Sequence, residues 1–136
     1  MNIYVAGSFA GRERIRTEAK ALLEYNHNVL SNWYNPEYFV EKAWDKDMGG
    51  EVGAAMTMID TMQIQQSDIV ILDTIDPSST GGSDTETGIV LGLQLSGRHI
   101  DLYHIGPVRN IFQTLIRTKR CETWKEFHDE YNWLIG

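Results

Sequence analysis

Three short segments carry the residue types that chemistry needs. They are Tyr4-Val5-Ala6-Gly7-Ser8, the stretch from Asp60 to Asp73, and Gly81-Gly82-Ser83-Asp84-Thr85-Glu86-Thr87-Gly88. The last is the most informative. A glycine turn after a strongly apolar run sets Glu86 at the start of a helical pattern, and in an open α/β sheet that point lies where small ligands bind. A second carboxylate nearby, from Asp60 or Asp73, would give a pair able to divide the roles of acid and charge stabiliser. Each residue also has a plainer reading. Ser83-x-x-Glu86 has the spacing of a capping box. Asp60 sits in an apolar helical pattern, where an exposed Asp is ordinary, and Asp73 ends a strand, where polar residues are normal. Asp84 is a first-turn acid favoured by the helix dipole and a minor candidate. Gly88 and Gly92, four apart on one helix face, read as close packing of helix on sheet, which would hold Glu86 rigidly at the strand ends.

Other residues suggest what a ligand would look like. Gly7-Ser8-Phe9-Ala10-Gly11-Arg12 is a turn into a helix, whose backbone amides and Arg12 suit a phosphate; an ordinary strand-to-helix turn is the alternative. The segment is not G-x-G-x-x-G, so a dinucleotide site is poorly supported. Trp33, Tyr34, Tyr38, Phe39 and Trp44 crowd one region, where aromatic faces can stack on a base or simply fill the core. Ser8, Ser31 and Ser83 lack the G-x-S-x-G elbow of serine hydrolases. The four histidines, His27, His99, His104 and His128, show no metal-ligand spacing and read as surface or strand-end residues.

The bulk numbers suit one domain spanning residues 1–136. At 136 residues, 42% hydrophobic and 23% charged, the chain can bury a real core but is too short for two. A net charge of −7 without a continuous Lys/Arg patch argues against binding a nucleic-acid polymer. A free nucleoside or nucleotide needs only a local site. Cys121, the one cysteine, has no partner for an internal disulfide or a cysteine zinc site. No metal or organic cofactor is expected. Met1 runs straight into a strand pattern with no basic leader and no long apolar segment, so the expectation is a cytoplasmic protein without signal peptide or membrane span.

Strands and helices must alternate to position these groups. Apolar runs predict strands over Ile3–Ala6, Val29–Trp33, Ile69–Leu72 and His99–Tyr103. Helical periodicity covers Arg12–Tyr25, Ala54–Gln66 and Ser83–Ser96. Thr123 and Glu126 form a capping box for a last helix ending near Leu134. The irregular stretch from Asn35 to about Gly53 is long enough for a lid or binding loop. Gly106-Pro107 turns the chain into Asn110–Ile116. The pattern predicts a single-domain, flavodoxin-like three-layer sandwich: a parallel sheet of four or five strands with helices on both faces. Its switch point would lie between the first and third strands and bring the Tyr4–Ser8 and Asp73–Glu86 loops together.

The motifs Ile3-Tyr4-Val5-Ala6-Gly7-Ser8, Ser67-Asp68-Ile69-Val70-Ile71, Gly81-Gly82 with Glu86-x-Gly88, and Gly106-Pro107-Val108-Arg109-Asn110-Ile111-Phe112 occur in a telling order. Together they resemble the nucleoside 2-deoxyribosyltransferase family, in particular its short members common in bacteriophage genomes. The related nucleoside 5′-monophosphate N-glycosidases share the fold and motifs. The resemblance implies an enzyme that cleaves the N-glycosidic bond of a 2′-deoxynucleoside and passes the sugar to another nucleobase. Glu86 matches the nucleophile, Asp60 the acid that serves the leaving base, and Tyr4 the tyrosine that orients the nucleophile. Thr80, six positions before Glu86, matches a polar position at the sugar's 5′ side. Asn110 matches an asparagine that reaches into the neighbouring subunit's site, which implies a homodimer or larger assembly. Gly7, Ser8, Arg12, Trp33, Asp73 and Gly82 complete the expected substrate-binding set. Thr80 replaces the aspartate of the better-known transferases, where the monophosphate hydrolases tend to have serine; Ser83 and Asp84 replace small residues. These departures leave the substrate's 5′ group open. A 2′-deoxynucleoside 5′-monophosphate N-hydrolase with the same nucleophile, and a non-catalytic nucleotide-binding module, stand as alternatives.

Overall fold

Period-two alternation along the first strand sets the architecture. In β1 (Asn2–Gly7), Ile3 and Val5 join the core on one face of the sheet, while Tyr4 and Ala6 join the core on the other. A computed structural model describes residues 1–36, 51–77, 81–114 and 118–131, with side chains in the second helix from Ala54 onward. After β1 come α1 (Arg12–Glu24), β2 (Asn28–Val29), α2 (Glu51–Gln65), β3 (Ile69–Asp73), α3 (Gly82–Leu95), β4 (Asp101–Ile105), β5 (Thr118–Cys121) and α4 (Trp124–Glu130). All neighbouring strands pair in parallel, in the order β2-β1-β3-β4-β5.

This is the flavodoxin-like α/β arrangement expected from the sequence. The order reverses between β1 and β3, so the loops after these two strands open side by side. One face of the sheet buries Ile15, Leu22, Trp124 and Phe127 from α1 and α4; the other buries Ile64 from α2 and Val90 from α3. β3 is buried at every residue, as befits a strand covered on both sides.

Several expectations shift, each for a local reason. The second strand stops at Val29 because side chains take over from the ladder. Ser31 Oγ accepts the Val5 N–H at 3.0 Å, and the Trp33 indole N–H donates to the Val5 carbonyl at 2.7 Å. The fourth strand lies two residues later than its apolar run suggested, at Asp101–Ile105. His104 is consequently a core residue and not a surface histidine: it is wholly buried, with Nε2 2.7 Å from the Thr74 hydroxyl. The fifth strand, Thr118-Lys119-Arg120-Cys121, has no apolar run to announce it, and its charges suit a sheet edge. Within the expected Asn110–Ile116 segment, a 3-10 turn forms at Ile111–Gln113, and 115–117 lie outside the described residues. The Thr123 cap of the last helix is present, with Thr123 Oγ1 accepting from the Glu126 N–H at 3.1 Å. That helix stops at Glu130 with Tyr131 as its C-cap, short of the end expected near Leu134, and most of the expected lid, residues 37–50, with Tyr38, Phe39 and Trp44, lies outside the described residues.

Two readings of α3 are corrected. Gly88 and Gly92 do not pack on the sheet: both are exposed, and a Cβ added at either would meet nothing within 4 Å. The buried stripe of α3 is instead Ser83, Thr87 and Val90. The capping box at Ser83 is not formed either. The helix starts at Gly82, its N-cap is Gly81 with a left-handed backbone (φ 78°), and among the described residues no side chain caps the first turn. Glu86 is therefore free of the structural duty that its spacing suggested.

Candidate active site

Three elements on one face of the sheet converge on a single acidic cluster. Tyr4 points from β1 into the core shared with α2 and α3 and is fully buried. Glu86 lies in the second turn of α3, and Asp60 lies on α2, which packs against α3. The sequence predicts each of the three from a different segment, and the fold brings them together.

Their protonation is set mainly by burial. Glu86 is half-buried overall, but its Oε2 is wholly enclosed and, among the described residues, meets no hydrogen-bond partner of ordinary geometry. Loss of water pushes its pKa from 4.5 up to about 8; the Tyr4 hydroxyl pulls it partly back, and the charge of Asp60 pushes it further up. Burial also raises Asp60, from 3.8 to about 6. Tyr4 is held well above its ordinary value, by burial first and then by the negative charges of Glu86 and Asp60. Tyr4 Oη is itself a buried hydroxyl with no partner of ordinary geometry. The tyrosine hydroxyl and the glutamate thus shift one another's pKa without closing a hydrogen bond of ordinary geometry. Two enclosed polar atoms left this way are costly in an ordinary core.

The remaining expected substrate-binding residues are distributed differently. Ser8 caps a 3-10 turn, accepting from the Ala10 N–H at 3.3 Å and donating to the Pro77 carbonyl at 3.1 Å. The Gly11 N–H returns to the Ser8 carbonyl at 2.9 Å. Arg12 lies 4.3 Å over the Phe9 ring and donates to the Phe9 carbonyl at 3.0 Å. These contacts turn the Gly7–Arg12 segment inward on itself. Gly7 is needed for close approach, because a Cβ there would stand 2.5 Å from Ile15 Cδ1 and 3.0 Å from the Asp73 carbonyl. Trp33 directs its N–H into the β1 backbone and its ring against Tyr34. Gly82 opens α3 and is exposed, and Thr80 lies outside the described residues.

Asp73 is committed to other partners. Arg14 grips its carboxylate with two hydrogen bonds of 3.0 Å, the Trp124 indole N–H donates to Oδ2 at 2.7 Å, and the Ile75 N–H donates to Oδ1 at 3.0 Å. Asp76 takes a further bond from Arg14 at 2.8 Å. This network joins α1, α4 and the end of β3. Arg14 and Trp124 escaped the sequence reading because nothing in their local spacing marks them as partners of a residue 59 and 51 positions away. Asn110 is engaged within its own chain: its amide donates to Asp84 Oδ1 at 3.0 Å and its carbonyl oxygen accepts from the Phe112 N–H at 2.9 Å. Gln113, also unanticipated, donates to the same Asp84 oxygen at 3.3 Å.

A search of family models finds no match to this chain, and no curated protein matches it. Among solved structures, the chain is similar in fold to a CMP N-glycosidase, BcmB, from Clostridium botulinum, with a TM-score of 0.58 at 18% sequence identity, over 96% of this chain and 98% of the other. Among the described residues, no helix is long and apolar enough to cross a membrane.

Proposed function

We propose that this chain is an enzyme that cleaves the N-glycosidic bond of a small nucleoside-type substrate, with Glu86 as the nucleophile. The observation that carries the reading is the enclosed, unpartnered Glu86 Oε2 facing Tyr4, with Asp60 close enough to raise its pKa. Similarity of fold to a CMP N-glycosidase supports the same chemistry.

The reaction follows from the charges. Cleavage at the anomeric carbon passes through an oxocarbenium-like state, which a carboxylate beneath the ring stabilises. A Glu86 oxygen bonds to that carbon as the C–N bond breaks, and the bonding pair leaves with the base. Asp60 delivers a proton to the base nitrogen. In the second half an acceptor base or water attacks the ester, gives its proton to the Asp60 carboxylate, and frees Glu86. Over the pH range between the two raised pKa values the pair carries one proton between them. The productive form keeps that proton on Asp60 and leaves Glu86 charged, and an oxocarbenium ion over Glu86 favours it.

In its specific form the proposal is a nucleoside 2-deoxyribosyltransferase that passes the deoxyribose to a second nucleobase. The inward-turned Ser8 and Arg12 favour a substrate with a free 5′-hydroxyl. The second reading, a nucleoside 5′-monophosphate N-hydrolase, draws on the phosphorylated substrate in the neighbour's name. Assembly as a homodimer is part of the proposal: Met58, Ile59 and Met62 on α2, Leu95 at the end of α3, and Ile111 and Phe112 on the 3-10 turn that packs against α3 are all exposed apolar side chains. Chromatography of the purified protein with deoxyinosine plus adenine, in parallel with CMP and deoxynucleoside monophosphates alone, tests this. New deoxyadenosine supports the transferase. Free base released only from monophosphates supports the hydrolase. No turnover of any of them overturns both.

A further inference from the structure

The N-cap of α3 is Gly81, which brings no side-chain hydrogen bond to the first amides, so contacts made by the first-turn side chains themselves bear on where the turn that leads to Glu86 sits. Asp84 precedes Glu86 by two positions and so projects from a different side of the helix. There its Oδ1 accepts the amide of Asn110 at 3.0 Å and the amide of Gln113 at 3.3 Å. Both amides are themselves fixed. Asn110 caps the Phe112 N–H, and Gln113 Oε1 accepts the Arg109 N–H at 2.7 Å. The Arg109 guanidinium donates to the carbonyls of Thr74 and Ile75 at 2.9 and 3.0 Å, and the Thr74 hydroxyl donates to the Pro107 carbonyl at 2.6 Å. A continuous set of hydrogen bonds therefore runs from the end of β3, through residues 107–113, to the first turn of α3.

We propose that Asp84 is a positioning residue: clasped by Asn110 and Gln113, it fixes the first turn of α3 and so aims Glu86. The proposal rests on the reading of Glu86 as nucleophile. Asp84 acts through the helix and not on the reacting atoms. What the clasp needs from it is an acceptor oxygen, not a charge. Asp84→Asn keeps that oxygen, and Asp84→Ala removes it.

The test compares wild type, Asp84→Ala and Asp84→Asn by steady-state kinetics and by carbon-13 titration of the Glu86 carboxyl in the unliganded protein, with Glu86→Gln as control. Misaiming a nucleophile costs about 10- to 100-fold in rate. Asp84→Ala is expected to lose that much in kcat with KM changed by less than about threefold, and its Glu86 midpoint to fall from about 8 as water reaches the loosened carboxyl. Asp84→Asn is expected to restore most of both. Unchanged kcat and midpoint in Asp84→Ala overturn the proposal, as does a loss confined to KM, or an Asp84→Asn variant as impaired as Asp84→Ala. If Glu86→Gln keeps full turnover, the nucleophile reading fails on its own, while the titration still reports whether Asp84 holds that carboxyl in place.

Discussion

Tyr4 Oη on β1 and Glu86 Oε2 on α3 are enclosed polar neighbours that interact electrostatically yet close no ordinary hydrogen bond. A core built for stability would not leave both unmet, since each unsatisfied buried group costs about 1–3 kcal/mol. Tyr4→Phe is therefore expected to leave thermal stability equal or higher while lowering kcat/KM roughly 10- to 100-fold. Calorimetry and steady-state kinetics on the same preparation check this. A large drop in melting temperature would mean that the hydroxyl serves the fold.

The raised carboxyl values make a second prediction, about pH. Glu86 moves from 4.5 to about 8 and Asp60 from 3.8 to about 6, so the folded state holds both protons more tightly than the unfolded chain. Their contribution to stability is complete below about pH 4 and is lost as pH rises through 6 and then 8. Glu86→Gln removes the later part of that loss. It is expected to match wild type at pH 4 and to exceed it at pH 9 by about 2 kcal/mol after allowance for partial solvent exposure. Urea melts across this range decide it. With one proton shared by the pair, kcat/KM is expected to be bell-shaped, with its maximum between limbs that turn at about pH 6 and pH 8.

Asp73 supplies a third test. Its carboxylate accepts four hydrogen bonds, two of them from a charged guanidinium, and it is almost fully buried. Asp73→Ala leaves Arg14 and the Trp124 N–H without that partner and is expected to cost about 3–5 kcal/mol. Arg14→Lys, which cannot reproduce the two-pronged contact, is expected to cost less but measurably, at about 1–2 kcal/mol. Denaturant titration measures both. A nearly neutral Asp73→Ala that specifically raises KM would instead return Asp73 to the substrate.

The exposed glycines of α3 give a fourth. Nothing stands within 4 Å of a Cβ at Gly88 or Gly92, so Gly88→Ala and Gly92→Ala are each expected to stabilise the folded chain by about 0.8–1 kcal/mol through helix propensity. Dilute thermal melts check that, and sedimentation at higher concentration shows whether the added methyls disturb association across this face.

The sheet was legible because its apolar strands announce themselves. Ile69-Val70-Ile71-Leu72 and Ile3-Tyr4-Val5-Ala6 are short buried runs, and alternation with helices leaves few topologies. Tyr4, Asp60 and Glu86 were legible as three separate signals that a parallel sheet brings to one end. Three features were hidden for physical reasons. Lys119 and Arg120 lie in an edge strand, where charge is an asset and the apolar signal is absent. Ser31 and Trp33 occupy backbone groups of Val5 that an apolar-run reading assigns to another strand. A capping box and an enclosed glutamate share one spacing, and only the left-handed Gly81 tells them apart.

The Val5 contacts have one further consequence. The Val5 N–H is shielded by a serine hydroxyl and its carbonyl is held by an indole, at the residue next to Tyr4. A proton kept by one side chain outside the ladder exchanges through a local opening around Ser31 and Tyr34, short of unfolding the sheet. The Val5 amide is thus an endogenous clock for breathing beside Tyr4. Its deuterium uptake will run ahead of that of Val70 and Ile71 in the central strand, and a bound substrate that stills the site will slow it.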